Sequence, residues 1–207
     1  MATTNHELLY YIPAGQYGKE GVLALLEQHP EIKFVSLVGI DLAGNDTDEK
    51  IPMSAFFDDY ESFFEGRAVQ TDGSSVVLTN IATLNNARVD MWGDPSVNWF
   101  VDYNYENIDP ATGLPTGTLR IPAFLMHNYR YVDSRSILKR SCDYVKTELL
   151  NLIKEHGLPG MPHVKSDDVV DIIFTSATEL EFWVKTPART VTKKELSVSQ
   201  KLQEQYW

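Results

Sequence analysis

The chain has 207 residues, a formal net charge of −11, and 43% hydrophobic and 23% charged residues. That length is sufficient for one or two domains with a buried core. The negative net charge argues against a nucleic-acid-binding protein and against a polybasic membrane anchor, because both need a basic surface. The single cysteine, Cys142, excludes an intrachain disulfide. No signal peptide or membrane-length apolar run is recognisable, so we expect a cytoplasmic protein without a membrane partner.

The first 130 residues predict a small sheet with one or two packed helices, an α+β fold. Apolar residues at helical spacing predict a first helix over 19–29, and Ser54 is expected to cap a second, aromatic-rich helix that ends at Gly66. Strands are predicted from their β-branched and apolar residues over 33–41, 74–80, 97–103 and 119–127. Pro122 implies that the last of these strands lies at an edge or contains a bulge.

A longer helix is predicted to begin after Asp133 as the N-cap and to run to Gly157. Its apolar residues recur at helical spacing and predict a buried stripe consisting of Ile137, Ser141, Tyr144, Val145, Leu149, Leu152 and Ile153. This helix is expected to open a second domain, residues 131–207.

Two further strands, 169–175 and 178–185, and a helix from Thr192 to Trp207 complete the pattern. The last helix reaches Trp207 without a stop signal, which favours a chain cut short over a natural end docked on the body. A cut chain would leave apolar side chains such as Phe182 and Val184 without partners.

Glu179 and Glu181 form the first candidate site. Residues two apart on a strand face the same way, so both carboxylates lie on one face and Leu180 and Phe182 on the other. Carboxylate oxygens are the ligands that Mg²⁺ and Mn²⁺ prefer. The alternative is an amphipathic strand with a solvated face, which the segment taken alone favours.

Asp72, followed by Gly73, Ser74 and Ser75, forms the second candidate. A carboxylate and two hydroxyl groups on a tight turn can hold a small cation or an amine, although an ordinary turn has the same sequence. Asp90 and Asp94 lie at a predicted strand end, where they either line a site or cap a turn. The histidines lack metal-ligand spacing, and no P-loop or dinucleotide-binding motif is present.

The order of these segments resembles the glutamine synthetase family over about residues 30–185. The similarity lies in Asp41-Leu42-Ala43-Gly44, Ile51-Pro52, Glu65-Gly66, Asp72-Gly73-Ser74-Ser75, Val89-Asp90-Met91, Asp94-Pro95, the helix start at 133–140 and Glu179-Leu180-Glu181-Phe182. The resemblance implies that residues 1–130 form the β-grasp N-terminal domain of that family. Residues 131–207 would then be the start of an incomplete catalytic domain.

The resemblance implies an ATP-dependent ligase that forms glutamine from glutamate and ammonium through a γ-glutamyl phosphate. Glu179 and Glu181 would bind Mg²⁺ or Mn²⁺. Asp72 would bind and deprotonate ammonium, with Ser75 supporting the loop and Asp90 close by. In this family the loop reaches into a neighbouring subunit, so a homo-oligomeric ring is expected. The later motifs of the family are absent, which implies that this chain alone is inactive.

Some positions depart from the family pattern. Thr71 stands where an aromatic residue is usual, and Ala177-Thr178 stands in place of Gly-Pro. Three alternatives therefore remain: a related ligase for another amine, a non-catalytic binding or regulatory relative, and an unrelated small α+β domain.

Overall fold

The computed structural model describes residues 8–78, 84, 87–177, 179 and 181. The chain divides into two compact units, Met1–Ile172 and Ile173–Trp207. Within the described residues of the first unit, eight strands form one mixed, mainly antiparallel sheet: β1 (Tyr11–Ile12), β2 (Ile32–Ile40), β3 (Asp46–Pro52), β4 (Val69–Asp72), β5 (Arg88–Gly93), β6 (Trp99–Ile108), β7 (Pro115–His127) and β8 (Arg130–Tyr131).

The helices are fewer than the strands. They are α1 (Lys19–Glu27), α2 (Met53–Asp58) and α3 (Ser134–His156), with short 3₁₀ turns at Tyr60–Phe63, Gly73–Ser75 and Ser166–Asp168. The start of α3 is as predicted, because the Asp133 side chain accepts a hydrogen bond from the Ser136 amide. The α2 cap is different: Pro52 precedes the helix without a side-chain cap, and Ser54 lies inside it. In the described part of the chain, no helix combines the length and the apolar character needed to cross a bilayer.

Strand β7 is the centre of the sheet. It pairs in parallel with β2 and antiparallel with β6, β5 and β8, while β3 and β1 lie at the ends of the main strand order. The prediction that Pro122 lies on an edge strand is wrong, because β7 is central. On one side of β7 the pairing partner is β6 up to Arg120 and β5 from Ala123 onwards, and Pro122 lies between these two stretches. Its carbonyl accepts from the Asp94 amide. A residue without an N–H group is tolerated at such a change of partner.

The core lies on one face of the sheet, beneath α1 and α2. Val35, Leu37, Leu119, Ile121 and Leu125 of β2 and β7 are completely or almost completely buried. An aromatic group completes it around the buried ring of Phe56, whose neighbours are Tyr60, Phe63, Phe64 and Trp99. Removing such a ring typically costs about 3–5 kcal/mol, so this group is a main source of the stability of the fold.

Three sequence predictions fail in the described residues. Gly73–Ser75 forms a 3₁₀ turn and residues 76–78 form no strand, so the strand predicted over 74–80 is wrong as far as it is described. Residues 169–175 have no regular structure. The stripe predicted on α3 is not buried: Ser136 is the only buried residue of the helix, and Tyr144 is 67% exposed.

The mixed α+β class is confirmed, with a mainly antiparallel sheet and few helices. The β-grasp assignment within that class and the domain boundary at residue 130 stay predictions. The helix predicted from Thr192, and the side chains of Phe182 and Val184, lie outside the described residues.

Candidate functional site

The exposed face of β4 and β5 carries two of the predicted site residues. The two strands pair antiparallel, with Asp72 opposite Arg88 and Gln70 opposite Asp90. Along β4, Val69 and Thr71 are buried, whereas Gln70 and Asp72 are exposed. Because side chains alternate between the two faces of a strand, Gln70 and Asp72 lie on the same face. Asp72 and Asp90 are therefore diagonal neighbours on one face, a relationship that typically separates Cα atoms by about 7–8 Å.

The D-G-S-S loop, residues 72–75, begins where β4 ends. Gly73 donates its amide to the Ala87 carbonyl at 2.7 Å, and Val76 donates to the Gly73 carbonyl at 3.1 Å, which closes the 3₁₀ turn. A Cβ at Gly73 would lie 2.1 Å from the Leu84 carbonyl oxygen, so this position accepts no larger residue in the same place. The close approach of the chain at Gly73 thus fixes the start of the loop.

The Asp72 carboxylate is exposed and anionic. Its Oδ1 accepts the Ser74 amide at 2.7 Å, and hydrogen bonds from the Ser74 amide and side chain lower the pKa of Asp72. Ser75 is exposed, and within the described residues its side chain makes no hydrogen bond. The structure thus puts Ser75 on the loop without bringing it onto Asp72. Ser74, the other hydroxyl residue of the predicted cation-binding turn, makes the contact with Asp72.

Asp90 Oδ1 is a buried carboxylate oxygen with Arg88 as its ion-pair partner. Arg88 Nε lies 3.2 Å from Asp90 Oδ1, but among the described residues no hydrogen bond reaches that buried oxygen. Two carboxylates and one guanidinium therefore share this face, with net negative charge. Such a surface suits a small cation that can donate several hydrogen bonds.

Asp41, the first residue of the Asp41-Leu42-Ala43-Gly44 motif, is a residue of the site region for which the sequence predicted no role. Its carboxylate is fully buried and accepts the amides of Ala43, Asn45 and Val77 and the Asn45 side chain. Burial opposes its ionisation, but these hydrogen bonds outweigh burial and lower the pKa of Asp41. The sequence offered one signal, an aspartate at the end of a strand followed by Gly44 and Asn45, which is the pattern of a side chain bonded to its own turn.

Glu179 and Glu181 are both exposed and neither belongs to a strand. Their placement on a common strand face therefore stays a prediction, since most residues of the 178–185 segment lie outside the described part. Among the described residues, no group of three or more His, Cys, Asp or Glu side chains could hold a metal ion. Two carboxylates suit Mg²⁺ by chemistry, but the described part of the chain does not fit a complete metal centre.

An open apolar groove of about 970 Å³ runs beside the N-terminal half of α3. Its walls are Leu42, Leu78, Tyr131, Val132, Ile137, Arg140, Ser141, Asp143, Tyr144 and Val145. Among the residues that the structure describes, none of the predicted site residues lines the groove, and its lining differs in composition from the charged face of β4 and β5.

Comparison with known proteins gives a distant structural likeness. No family model matches the sequence, and no curated protein matches it. Among solved structures, it is similar to GmaS, a glutamine synthetase-like enzyme, in a complex with ADP. The identity is 15% and the TM-score 0.32, over 53% of this chain and 21% of that one. The chain spans about a fifth of the length of that protein.

Proposed function

We propose that this chain supplies the ammonium-binding loop of a glutamine synthetase-type ligase, which forms glutamine from glutamate, ammonium and ATP. The observation that carries the proposal is the common face of Asp72 and Asp90, with Asp72 on an exposed loop and Asp90 Oδ1 without a hydrogen bond among the described residues. The order of motifs that resembles the family supports the same conclusion.

The geometry favours binding of the cation as the first role of Asp72. Because the Ser74 hydrogen bonds lower its pKa, Asp72 is ionised at neutral pH and attracts ammonium. Ammonium has no lone pair, so it must lose a proton before it can attack an acyl phosphate. A carboxylate with a low pKa is a weak base. Deprotonation by Asp72 therefore requires that the loop be covered, since loss of solvent raises the pKa of a carboxylate.

The need for a cover agrees with a site that is completed by another subunit. We propose that the D-G-S-S loop meets a neighbouring copy in a homo-oligomeric ring, where glutamate and ATP bind. Ser75 would face that copy, because its hydroxyl group is exposed and makes no hydrogen bond among the described residues. Glu179 and Glu181 would contribute carboxylate oxygens to Mg²⁺ or Mn²⁺, the ions that neutralise phosphate charge when they are bound.

The test is a titration of the isotope-labelled chain with ammonium chloride, compared with sodium chloride at equal ionic strength. We expect ammonium-specific shifts in the NMR signals of Asp72, Ser74 and Asp90, and their loss in Asp72→Asn. Asp171→Asn is the control, because Asp171 is an exposed carboxylate that also accepts a backbone amide, and its pKa is also lowered, first by Lys146 and then by that amide. Equal responses to the two salts, or an unchanged response in Asp72→Asn, would contradict the proposal.

A second candidate function is a non-catalytic binding subunit. The observation that favours it is α3, which presents Leu138, Tyr144 and Leu152 to solvent at 65%, 67% and 51% exposure. Exposed apolar residues at this density on one helix mark an interaction surface. Production of glutamine by any assembly that contains the chain, sensitive to Asp72→Asn, would decide for the ligase.

A further inference from the structure

Asp41 has no exposed surface, and its carboxylate accepts four hydrogen bonds. Oδ1 accepts the amides of Ala43 and Asn45, each at 2.9 Å. Oδ2 accepts the Asn45 side chain and the Val77 amide, each at 3.0 Å. No cation pairs with Asp41 among the described residues, so N–H groups alone stabilise its charge.

The bond to Val77 goes beyond the local turn, because it joins residues 36 positions apart. A second hydrogen bond joins the same two segments, because Leu42 donates its amide to the Val77 carbonyl at 3.2 Å. Residues 76–78 belong to no strand or helix. Their position therefore depends on these bonds and on burial of the Val76 and Leu78 side chains.

We propose that Asp41 is a positioning residue for the D-G-S-S loop: its carboxylate holds Val77, and Val77 fixes the end of the loop that carries Ser74 and Ser75. The ammonium-binding role of that loop rests on the function proposed above, whereas the hold of Asp41 on the loop does not.

The loop is fixed at both ends by different contacts. Pairing of Asp72 with Arg88, and the bond from Gly73 to Ala87, hold its start. The Asp41 carboxylate holds its end, two residues beyond Ser75. With only one end fixed, the turn could open, and Ser74 would lose the alignment of its amide with the Asp72 carboxylate. Asp41 thus sets the charge and orientation of Asp72 from a buried position.

The experiment measures amide hydrogen exchange and the Asp72 titration by NMR in the wild-type chain, in Asp41→Asn and in Asp109→Asn. The carboxamide of Asp41→Asn keeps the size of the side chain, but it replaces an acceptor by an N–H donor. We expect exchange at Val77 and Ser74 to accelerate about ten- to a hundredfold. The pKa of Asp72 should rise towards its ordinary value, because the hydrogen bonds from Ser74 weaken. General loss of stability would not produce that local signature.

Asp109→Asn is the matched control, because Asp109 also accepts hydrogen bonds within its own turn, from Ala111 and Thr112, but does not contact the loop. In that variant, exchange at Val77 and the Asp72 titration should match the wild type. Unchanged exchange at Val77 in Asp41→Asn would overturn the proposal.

A measurement on the wild type covers the case in which Asp41→Asn does not fold. The Val77 amide lies outside every strand and helix, yet we expect it to exchange at least about a hundredfold more slowly than a free amide. Exchange at the free rate would also overturn the proposal. If the wild type shows no ammonium response but the Val77 amide is protected, only the proposed function is contradicted, and the role of Asp41 stands.

Discussion

The guanidinium of Arg135 lies 2.5 Å from the buried carboxylate of Asp94 and connects the first turn of α3 to the loop after β5. Asp94 also accepts the Ser96 amide at 2.9 Å, and the Arg135 guanidinium stacks over the Phe124 ring at 5.0 Å. Next to it, Asp133 accepts the Leu125 amide. The start of α3 is thus fixed to the sheet by charged hydrogen bonds, whereas most of its length is exposed.

Replacement of Arg135 by methionine should destabilise the chain, because the Asp94 carboxylate would stay buried without its cation. Arg135 is itself about one-third exposed, so we expect a moderate loss of about 1–3 kcal/mol in the free energy of unfolding. Chemical denaturation measures it. Arg140→Met, at an exposed position of the same helix, should change that free energy by less than about 0.5 kcal/mol. Equal effects of the two variants would contradict the structural role of the Asp94–Arg135 contact.

The same carboxylate predicts a dependence of stability on acid pH. Burial opposes the ionisation of Asp94, but hydrogen bonds from Ser96 and Arg135 outweigh it and lower its pKa in the folded state. A carboxylate with a lowered pKa stabilises the fold above its ordinary pKa of about 3.9, and this contribution disappears as pH falls through the folded value. The melting temperature should therefore fall less steeply between about pH 5 and pH 2 in Asp94→Asn than in the wild type. Parallel curves would show that Asp94 does not contribute.

Gly66 should not tolerate alanine. Its φ of +66° is costly for other residues, and a Cβ would lie 1.8 Å from Trp92 Nε1. Gly113, with φ of +72° and no atom of the described residues within 4 Å of the added Cβ, isolates the backbone cost. We expect Gly113→Ala to lose about 1–2 kcal/mol and Gly66→Ala to lose about 1–3 kcal/mol more because of overpacking. Thermal unfolding monitored by tryptophan fluorescence measures both. Equal losses would show that Trp92 moves aside without cost.

The fold was predictable where local patterns agreed with the final environment. Strand β2 follows a run of apolar and β-branched residues that is buried in the sheet, and Asp133 caps α3 as its position implied. The prediction of a strand over 74–80 was wrong because Val76 and Leu78 belong to an irregular loop and are nevertheless buried. The Val77 amide between them donates its hydrogen bond to Asp41 instead of to a neighbouring strand. A sequence pattern cannot distinguish these two ways of burying apolar residues.

The site was predictable in part. The resemblance to glutamine synthetases implied that Asp90 lies close to Asp72, and the strand register sets the two residues on one face. The contact of Ser74 with Asp72 and the role of Asp41 were not predicted, because both depend on hydrogen bonds that exist only after folding. The bond from Val77 to Asp41 spans 36 residues, and no spacing rule connects such positions.

The exposed side of α3 predicts that polar replacements there cost little. Val145→Gln and Leu152→Gln each introduce a good helix former, and the native residues are 43% and 51% exposed. Each should change the free energy of unfolding by less than about 0.5 kcal/mol. Leu119→Ala, at a fully buried position of β7, should lose about 2–5 kcal/mol in the same denaturation assay. A large loss at Leu152 would mean that α3 is covered in solution, for example by a second copy of the chain.

With Glu179 and Glu181 as its only proposed metal ligands, this chain alone should bind metal weakly and show no turnover. Glu179 and Glu181 are both exposed, and the described residues add no third ligand to either of them. With two carboxylates and water as ligands, we expect millimolar or weaker affinity for Mn²⁺, which titration calorimetry measures. Phosphate release with ATP, glutamate, ammonium and Mg²⁺ should stay at background.

Glu179→Ala and Glu181→Ala should each weaken Mn²⁺ binding further without a change in melting temperature, because neither side chain is buried. Glu155→Ala, an exposed carboxylate on α3, is the control and should leave binding unchanged. Micromolar affinity that survives both substitutions would place the metal elsewhere. Turnover above background would show that these 207 residues contain a complete ligase site.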